Sequence, residues 1–438
     1  GKYRAIASGA IANGKPVVVN SAGTVSVVSG QTASVATAVV FETADAKTPR
    51  IAFDSSNNRI VISFRDQDNS GYGTAIVGTV ASNGSISFGT AVVYSSENTS
   101  TSGITFDSSN NKVVITYVPN SGYGTAKVGT VDSSDNSISF GSAATYLSSS
   151  TQESAAIVFD SSNNKVVVAA RDVGDSGKGK AFVGTVSGTS ISFGSAAEFN
   201  GAGTSYINSA FDSTNNKVII AYADAGNSEY GTAIVGTVSG TSISFGSEAV
   251  FESADSRWIS LAHDTSNQKT VIAYHDTGNS DYVTAIVGTV SGTSISFGTA
   301  VVVQSTSNYG TDTTFNSNDN LIVISYRDYA GTDLRIIDGT VSGTSISFGS
   351  SSIILDGGGY SPVDSTVASN HAVENIFDSN VNKTISVFRN MRNSNYGTAI
   401  AYTSAVPTNL TTENYIGIAN SCSFHGATET FTVTVASG

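Results

Sequence analysis

The chain has 438 residues, 39% of them hydrophobic and only 13% charged, with a net charge of −13. So acidic a balance excludes the basic face that a duplex nucleic-acid binder or an anionic membrane surface requires. A single cysteine, Cys422, excludes an intrachain disulfide. The scattered His263, His275, His371 and His425, without HExxH or CxxC spacing, give no metal or cofactor motif. Nor does any apolar run approach the roughly 18 residues of a membrane span, so no membrane insertion is expected.

In chain order, residues 1–30 hold two short strand-like stretches with turns at Asn13-Gly14 and Ala22-Gly23. A run "QTASVATAVVFE" follows at 31–42. The marker "FDSSNN" then recurs with drift at Phe53, Phe106, Phe159, Phe211, His263, Phe315 and Phe377, at spacings of 53, 53, 52, 52, 52 and 62 residues. This is a repeat of seven units. In the fifth unit the segments read "WISLAHD", "KTVIAYHD", "VTAIVGTV" and "SISFGTAVVV". Val, Ile, Tyr, Phe and Thr dominate, which favours strand, and no apolar spacing is helical. "DSSNNK" supplies Asp and Asn for turns, and "VSGTS" places Gly at a hairpin tip. The eleven residues "GTVSGTSISFG" stand verbatim at 184–194, 236–246, 288–298 and 339–349. They read as the hairpin into the fourth strand of each unit.

Seven four-stranded antiparallel meanders predict an all-β, seven-bladed β-propeller. The seventh unit lacks a fourth strand: after "GTAIAYTS" the chain runs into "AVPTNL". The run at 31–42 aligns with "GSISFGTAVVYS" (84–95) at an offset of 53, setting Ala33 and Val35 where Ile86 and Phe88 stand. Residues 32–41 are therefore predicted to be the outer strand of the seventh blade, closing the ring and removing an edge. That leaves 1–30 and 405–438 outside a propeller at 31–404. Both outer segments carry a small-residue run, a Gly (Gly14, Gly426) and a β stretch, so they are expected to pair into one small terminal β module.

The flanks "AIASGAIANGKPVVVNSAGTVSVV" and "NYIGIANSCSFHGATETFTVTV", and the repeats between them, resemble structural proteins of tailed phages, notably tail fibres and appendages of marine and cyanobacterial phages. The resemblance implies a virion-surface or extracellular protein. Its implied partners are other virion or filament proteins, further copies of itself, and a host-surface glycan or protein. It transfers no catalytic residue. A bacterial surface adhesin or filament subunit is the alternative, and a carbohydrate-active propeller enzyme the third.

Copy-to-copy identity marks the scaffold, and divergence marks where a site is permitted. The "RDxGNSxYG" turns and inter-blade links share one end of the ring and vary most. Tyr206, Trp258, Tyr309 and Tyr360 fall in these links. Trp258 is the sole tryptophan, and Arg257 and Asp255 beside it suit sugar hydroxyls. Equally, Trp258 can be read as filling the gap between neighbouring blades. The insertion before the seventh blade carries Asp356, Gly357, Gly358, Gly359, Tyr360, Asp364, His371 and Glu374, and reads either as a site or as a covering loop. Asp66 and Asp68 in "RDQDNSGYG" invite a calcium reading, but other copies lose an acid, and Asx turns suffice. Of the acids at this end (Asp45, Glu97, Glu153, Asp255, Asp312), no spacing selects a glycosidase pair, so no catalytic residue is assigned.

Overall fold

The computed structural model describes residues 2–6, 16–19, 24–27, 30–328, 333–356, 373–406, 415–425 and 428–434. It contains two compact units, residues 35–402 and residues 1–34 with 403–438.

The larger unit is the seven-bladed propeller. Its inner strands are Ser100–Asp107 and Glu374–Asp378 together with the second halves of Val39–Asp54, Ala144–Asp160, Ala197–Asp212, Ala249–Asp264 and Val301–Asn316. Consecutive inner strands contact one another, and the last contacts the first. Blade five shows the plan: 256–264 pairs with Lys269–Asp276, which pairs with Tyr282–Ser291, which pairs with Ser294–Phe297 and then with the start of Val301–Asn316. The outer strand is thus in two pieces. Gly298 sits at the break, where a Cβ would stand 1.9 Å from Thr344 O of the next blade. Only Gly lets adjacent blades approach so closely. Among the described residues, three 3₁₀ turns, Val173–Asp175, Ala225–Asn227 and Thr277–Asn279, supplement the strands.

The first turn of each blade is an Asx turn. In blade one, Asp54 Oδ1 accepts from the Ser56 and Asn57 amides at 3.0 Å, and Oδ2 accepts from Asn57 Nδ2 at 2.8 Å. Asp107, Asp160, Asp212 and Asp264 repeat the pattern. The hairpin-tip glycines Gly188, Gly240, Gly292 and Gly343 adopt φ of 61–63°, as the motif at 184–194 requires.

Ring closure follows the expected strand. Val39 pairs with Ala399 and Val40 with Thr398, and the Ala36 amide donates to Ala401 O at 2.9 Å. Ala33 and Val35 are half-buried with Ser34 exposed between them, the alternation that fixes register. Phe41, Ile51 and Ile62 share a core with Ile385, Val387, Ala399 and Ala401, so the first and seventh blades pack as any other adjacent pair does. Two ion pairs join ends remote in sequence: Arg389 Nη2 donates to Asp45 Oδ2 at 2.8 Å, and Arg50 Nη1 to Glu374 Oε2 at 2.6 Å.

In the smaller unit the sheet order places Lys2–Ile6 and Pro16–Val19 on either side of the hairpin Tyr415–His425/Thr428–Thr434, with Val25–Val27 at the edge. Residues from both ends of the chain therefore form one terminal β module. Gln31 bridges to Val406 with backbone bonds of 2.9 Å. The turns at Asn13-Gly14 and Ala22-Gly23, and Gly426, lie outside the described residues.

Candidate functional site

The links between blades, whose divergent sequences read as loops, run as strand. Ala249–Asp264 first pairs with the third strand of blade four (Ala249 with Ala233, Glu252 with Gly231, Asp255 with Tyr230), then with the second strand of blade five (Ser256 with Asp276, Arg257 with His275). The register then shifts between Arg257 and Ser260. Trp258 stands in this bulge with φ of +44°. Blade four repeats the geometry, with a shift between Ser205 and Asn208 and Tyr206 at φ +51°. Thr48 in blade one has φ +46°, and in blade six Gly310 has φ +60°. The bulge therefore calls for a left-handed residue, for which Gly310 is the low-cost occupant. A large aromatic there costs on the order of 1–2 kcal/mol.

Both rings lie together. The Tyr206 and Trp258 centroids are 5.7 Å apart with planes at 53°, and Trp258 meets the buried His275 edge-on at 4.9 Å. Tyr206 and Trp258 are half-buried and Arg257 is exposed. The Arg257 Nε donates to Asp255 Oδ2 at 2.9 Å, and this bond raises the guanidinium pKa further. Burial raises the Tyr206 phenol pKa, keeping it protonated as a donor. Thr311 Oγ1 donates to the Trp258 carbonyl from blade six. The adjoining second-to-third-strand turns are preset: Asp224 Oδ1 accepts from the Gly226 amide and Asp276 Oδ1 from Asn279. These turns bring Glu229 and Asp281 to the same corner, with Ser205 Oγ donating to Glu229 Oε2 at 3.3 Å and Asp281 Oδ1 3.9 Å from His275 Nδ1.

The fold thus gathers Tyr206, Asp255, Arg257 and Trp258, together with His275, Glu229 and Asp281, which sequence reasoning missed. The Trp258 ring meets Tyr206 of blade four and His275 of blade five and stays partly exposed. Tyr309 lies on the link into blade six, its backbone paired with Arg327. Tyr360, with Gly357, Gly358, Gly359, Asp364 and His371 of the insertion, lies outside the described residues. Asp66 Oδ1 accepts from the Asn69 amide at 3.1 Å, an Asx turn. Among the described residues no cluster of three or more His, Cys, Asp or Glu is arranged for a metal.

Of the acids considered for catalysis, Asp45 is held by Arg389 and Glu97 is exposed. Asp312 is buried, and burial followed by the nearby Glu374 charge raises its pKa well above the carboxylate range. Its Oδ2 accepts from the Asn375 amide at 2.6 Å. This places Asp312 in the seam between blades six and seven.

No protein-family model and no curated protein matches the sequence. The fold is similar to that of a protein from Lactobacillus plantarum, at 12% identity over 81% of this chain and 97% of that one, with a TM-score of 0.53. Weaker likenesses are to AofleA from Arthrobotrys oligospora (10% identity, 78% of this chain and 93% of that one, TM-score 0.45) and to a mutant of the NanB sialidase from Streptococcus pneumoniae (13%, 84% and 70%, TM-score 0.46). At these identities the likeness concerns the fold alone.

Proposed function

We propose that this protein is a recognition component of a surface appendage and that it binds a glycan at the Tyr206–Trp258 corner. One observation carries the reading: two bulky rings occupy adjacent left-handed bulges where the next blade has glycine. Backbone strain held at a site is a pointer to function. The indole, which is partly exposed, is of the kind that stacks on the apolar face of a sugar ring, and the neighbouring Arg257 and Asp255 carry groups that suit its hydroxyls. The site is read as binding without turnover, because Asp255 is already engaged by Arg257. The flank resemblance to tailed-phage appendages supports a place on a virion, among other virion proteins and copies of the same chain, with a host-surface glycan as partner.

The test is a glycan array with the wild-type chain and the W258A and Y206A variants. The wild type is expected to retain a defined set of glycans, and each variant to lose at least tenfold in binding while staying folded. Retention of the same glycans by both variants would move the site elsewhere. Co-purification with virions tests the phage assignment; self-assembled filaments from cells would favour the adhesin.

A further inference from the structure

The seam between blades six and seven is built unlike the others. Ala144–Asp160, Ala197–Asp212, Ala249–Asp264, Val301–Asn316 and Val39–Asp54 each leave one blade and enter the next as one strand, and Val92–Asn98 gives way to Ser100–Asp107 across Thr99 alone. Blade six instead ends on Ser352–Leu355 and blade seven begins on Glu374–Asp378, and among the described residues no strand runs from one into the other. Side chains take over the join.

These side chains are polar where other blades are apolar. Asn375 stands where blades one to three have Ile and blade five has Leu. Ser386, its cross-strand partner, stands where the other six blades have Ile or Val. Asn375 Oδ1 accepts from Ser386 Oγ at 2.7 Å and from Ser325 Oγ of blade six at 2.9 Å, and all three residues are buried. Asp312 completes the join from blade six, at a position where blades two and three have Gly103 and Ala156. Its Oδ2 accepts from the Asn375 amide at 2.6 Å, and its carbonyl accepts from Asn375 Nδ2 at 3.2 Å.

Asp312 is 7% exposed. Two charged groups act on it from the strands packed beside it, Glu374 of blade seven and Arg50 of blade one, which pair with each other at 2.6 Å. Its cross-strand neighbour Ser325 carries only a hydroxyl. Thr311 and Thr313, which alternation sets on the opposite face of the strand, meet Ser260 of blade five. Burial disfavours an ionised Asp312 and the Glu374 charge adds to that, while the amides of Asn375 and Thr313 and the Arg50 charge oppose less strongly.

We propose that this seam is a proton-operated clasp: Asp312 holds blade seven to blade six as a neutral carboxylic acid, and loss of its proton loosens the join. An ionised Asp312 sits buried near a second carboxylate whose guanidinium partner is already engaged, which is a costly arrangement. The folded chain keeps this proton to higher pH than the unfolded chain, in which an Asp titrates at ~3.9. Its contribution to stability is therefore complete in acid and lost as pH rises through the raised value.

The experiment is hydrogen exchange of the full chain from pH 4 to pH 9. The amides of 374–378 are read as a ratio to those of 165–172 in blade three, so that the intrinsic pH dependence of exchange cancels. In the wild type the ratio should rise with pH by at least about tenfold. In D312N, whose amide keeps an acceptor for Asn375 but never ionises, it should stay flat. E374Q removes the neighbouring charge and should move the rise to lower pH, a readout that a merely structural role would leave in place. If D312N fails to fold, E374Q carries the comparison. A flat ratio in the wild type, the same rise in D312N, or a rise that E374Q does not move overturns the inference.

Discussion

Closure of the ring by the strand at 39–42 can be tested through one packing pair. In five blades a third-strand glycine lies under an outer-strand aromatic: Gly73 under Tyr94, Gly124 under Tyr146, Gly179 under Phe199, Gly231 under Phe251, and Gly397 under Phe41. The last pair joins opposite ends of the chain. A Cβ on Gly397 would stand 2.3 Å from the Phe41 ring, well inside contact distance. Blade five holds Val283 and Val303 at the same two positions, both in one core. G397V in the wild-type background should therefore overpack the seam and cost about 3 kcal/mol, at the top of the usual range. F41V empties space beside Phe64 and Phe88, whose rings lie 5.3 and 6.0 Å from that of Phe41, and should cost about 2 kcal/mol. The double variant rebuilds the blade-five pair. It should cost about 1–2 kcal/mol, giving a coupling of roughly 3 kcal/mol. Urea denaturation of the four proteins measures the cycle. Additive single effects, leaving the double variant near 5 kcal/mol, would show that Phe41 and Gly397 do not pack and that the ring closes otherwise.

Arg50→Met removes the partner of Glu374 in the seam between blades seven and one, and should cost about 3–5 kcal/mol in the same denaturation assay. Burial lowers the His263 pKa, with Asp212 and Asp264 opposing less strongly. The unfolded chain then binds the extra proton first, so stability should fall as pH drops below about 6.5, and the difference between wild type and H263F should shrink at higher pH; a pH-independent difference refutes this. Within one repeat motif, Gly188→Ala meets nothing within 4 Å and should cost only its left-handed backbone, about 1 kcal/mol, whereas Gly194→Ala would set a Cβ 1.9 Å from Thr241 O of the next blade and should cost several-fold more in thermal denaturation.

The scaffold was legible because each blade poses the same packing problem and the chain answers it with nearly the same residues. The Phe-Asp marker gave the number of blades, and the offset of 53 between 31–42 and 84–95 gave the closing strand. What stayed hidden depends on backbone conformation or on distant partners. Thr48, Tyr206, Trp258 and Gly310 share a left-handed bulge but no residue type, so no pattern announces it. The links read as loops because their sequences diverge, yet their backbones continue the ladders of both adjoining blades. The pairs Arg389–Asp45 and Arg50–Glu374 span 344 and 324 residues, beyond any local signal. His275 and Asp281 joined the candidate site only through turns that look like scaffold. His263, alone among six Phe at the marker position, reads as drift in the repeat.

Trp258 is the sole tryptophan, so intrinsic indole fluorescence reports the proposed glycan site and nothing else. Titrating the wild-type chain with a glycan retained on the array should shift that emission saturably, with the same midpoint as calorimetric binding, and Y206A should move both midpoints together. Saturable binding by calorimetry with the tryptophan emission unmoved would contradict the assignment of recognition to this corner.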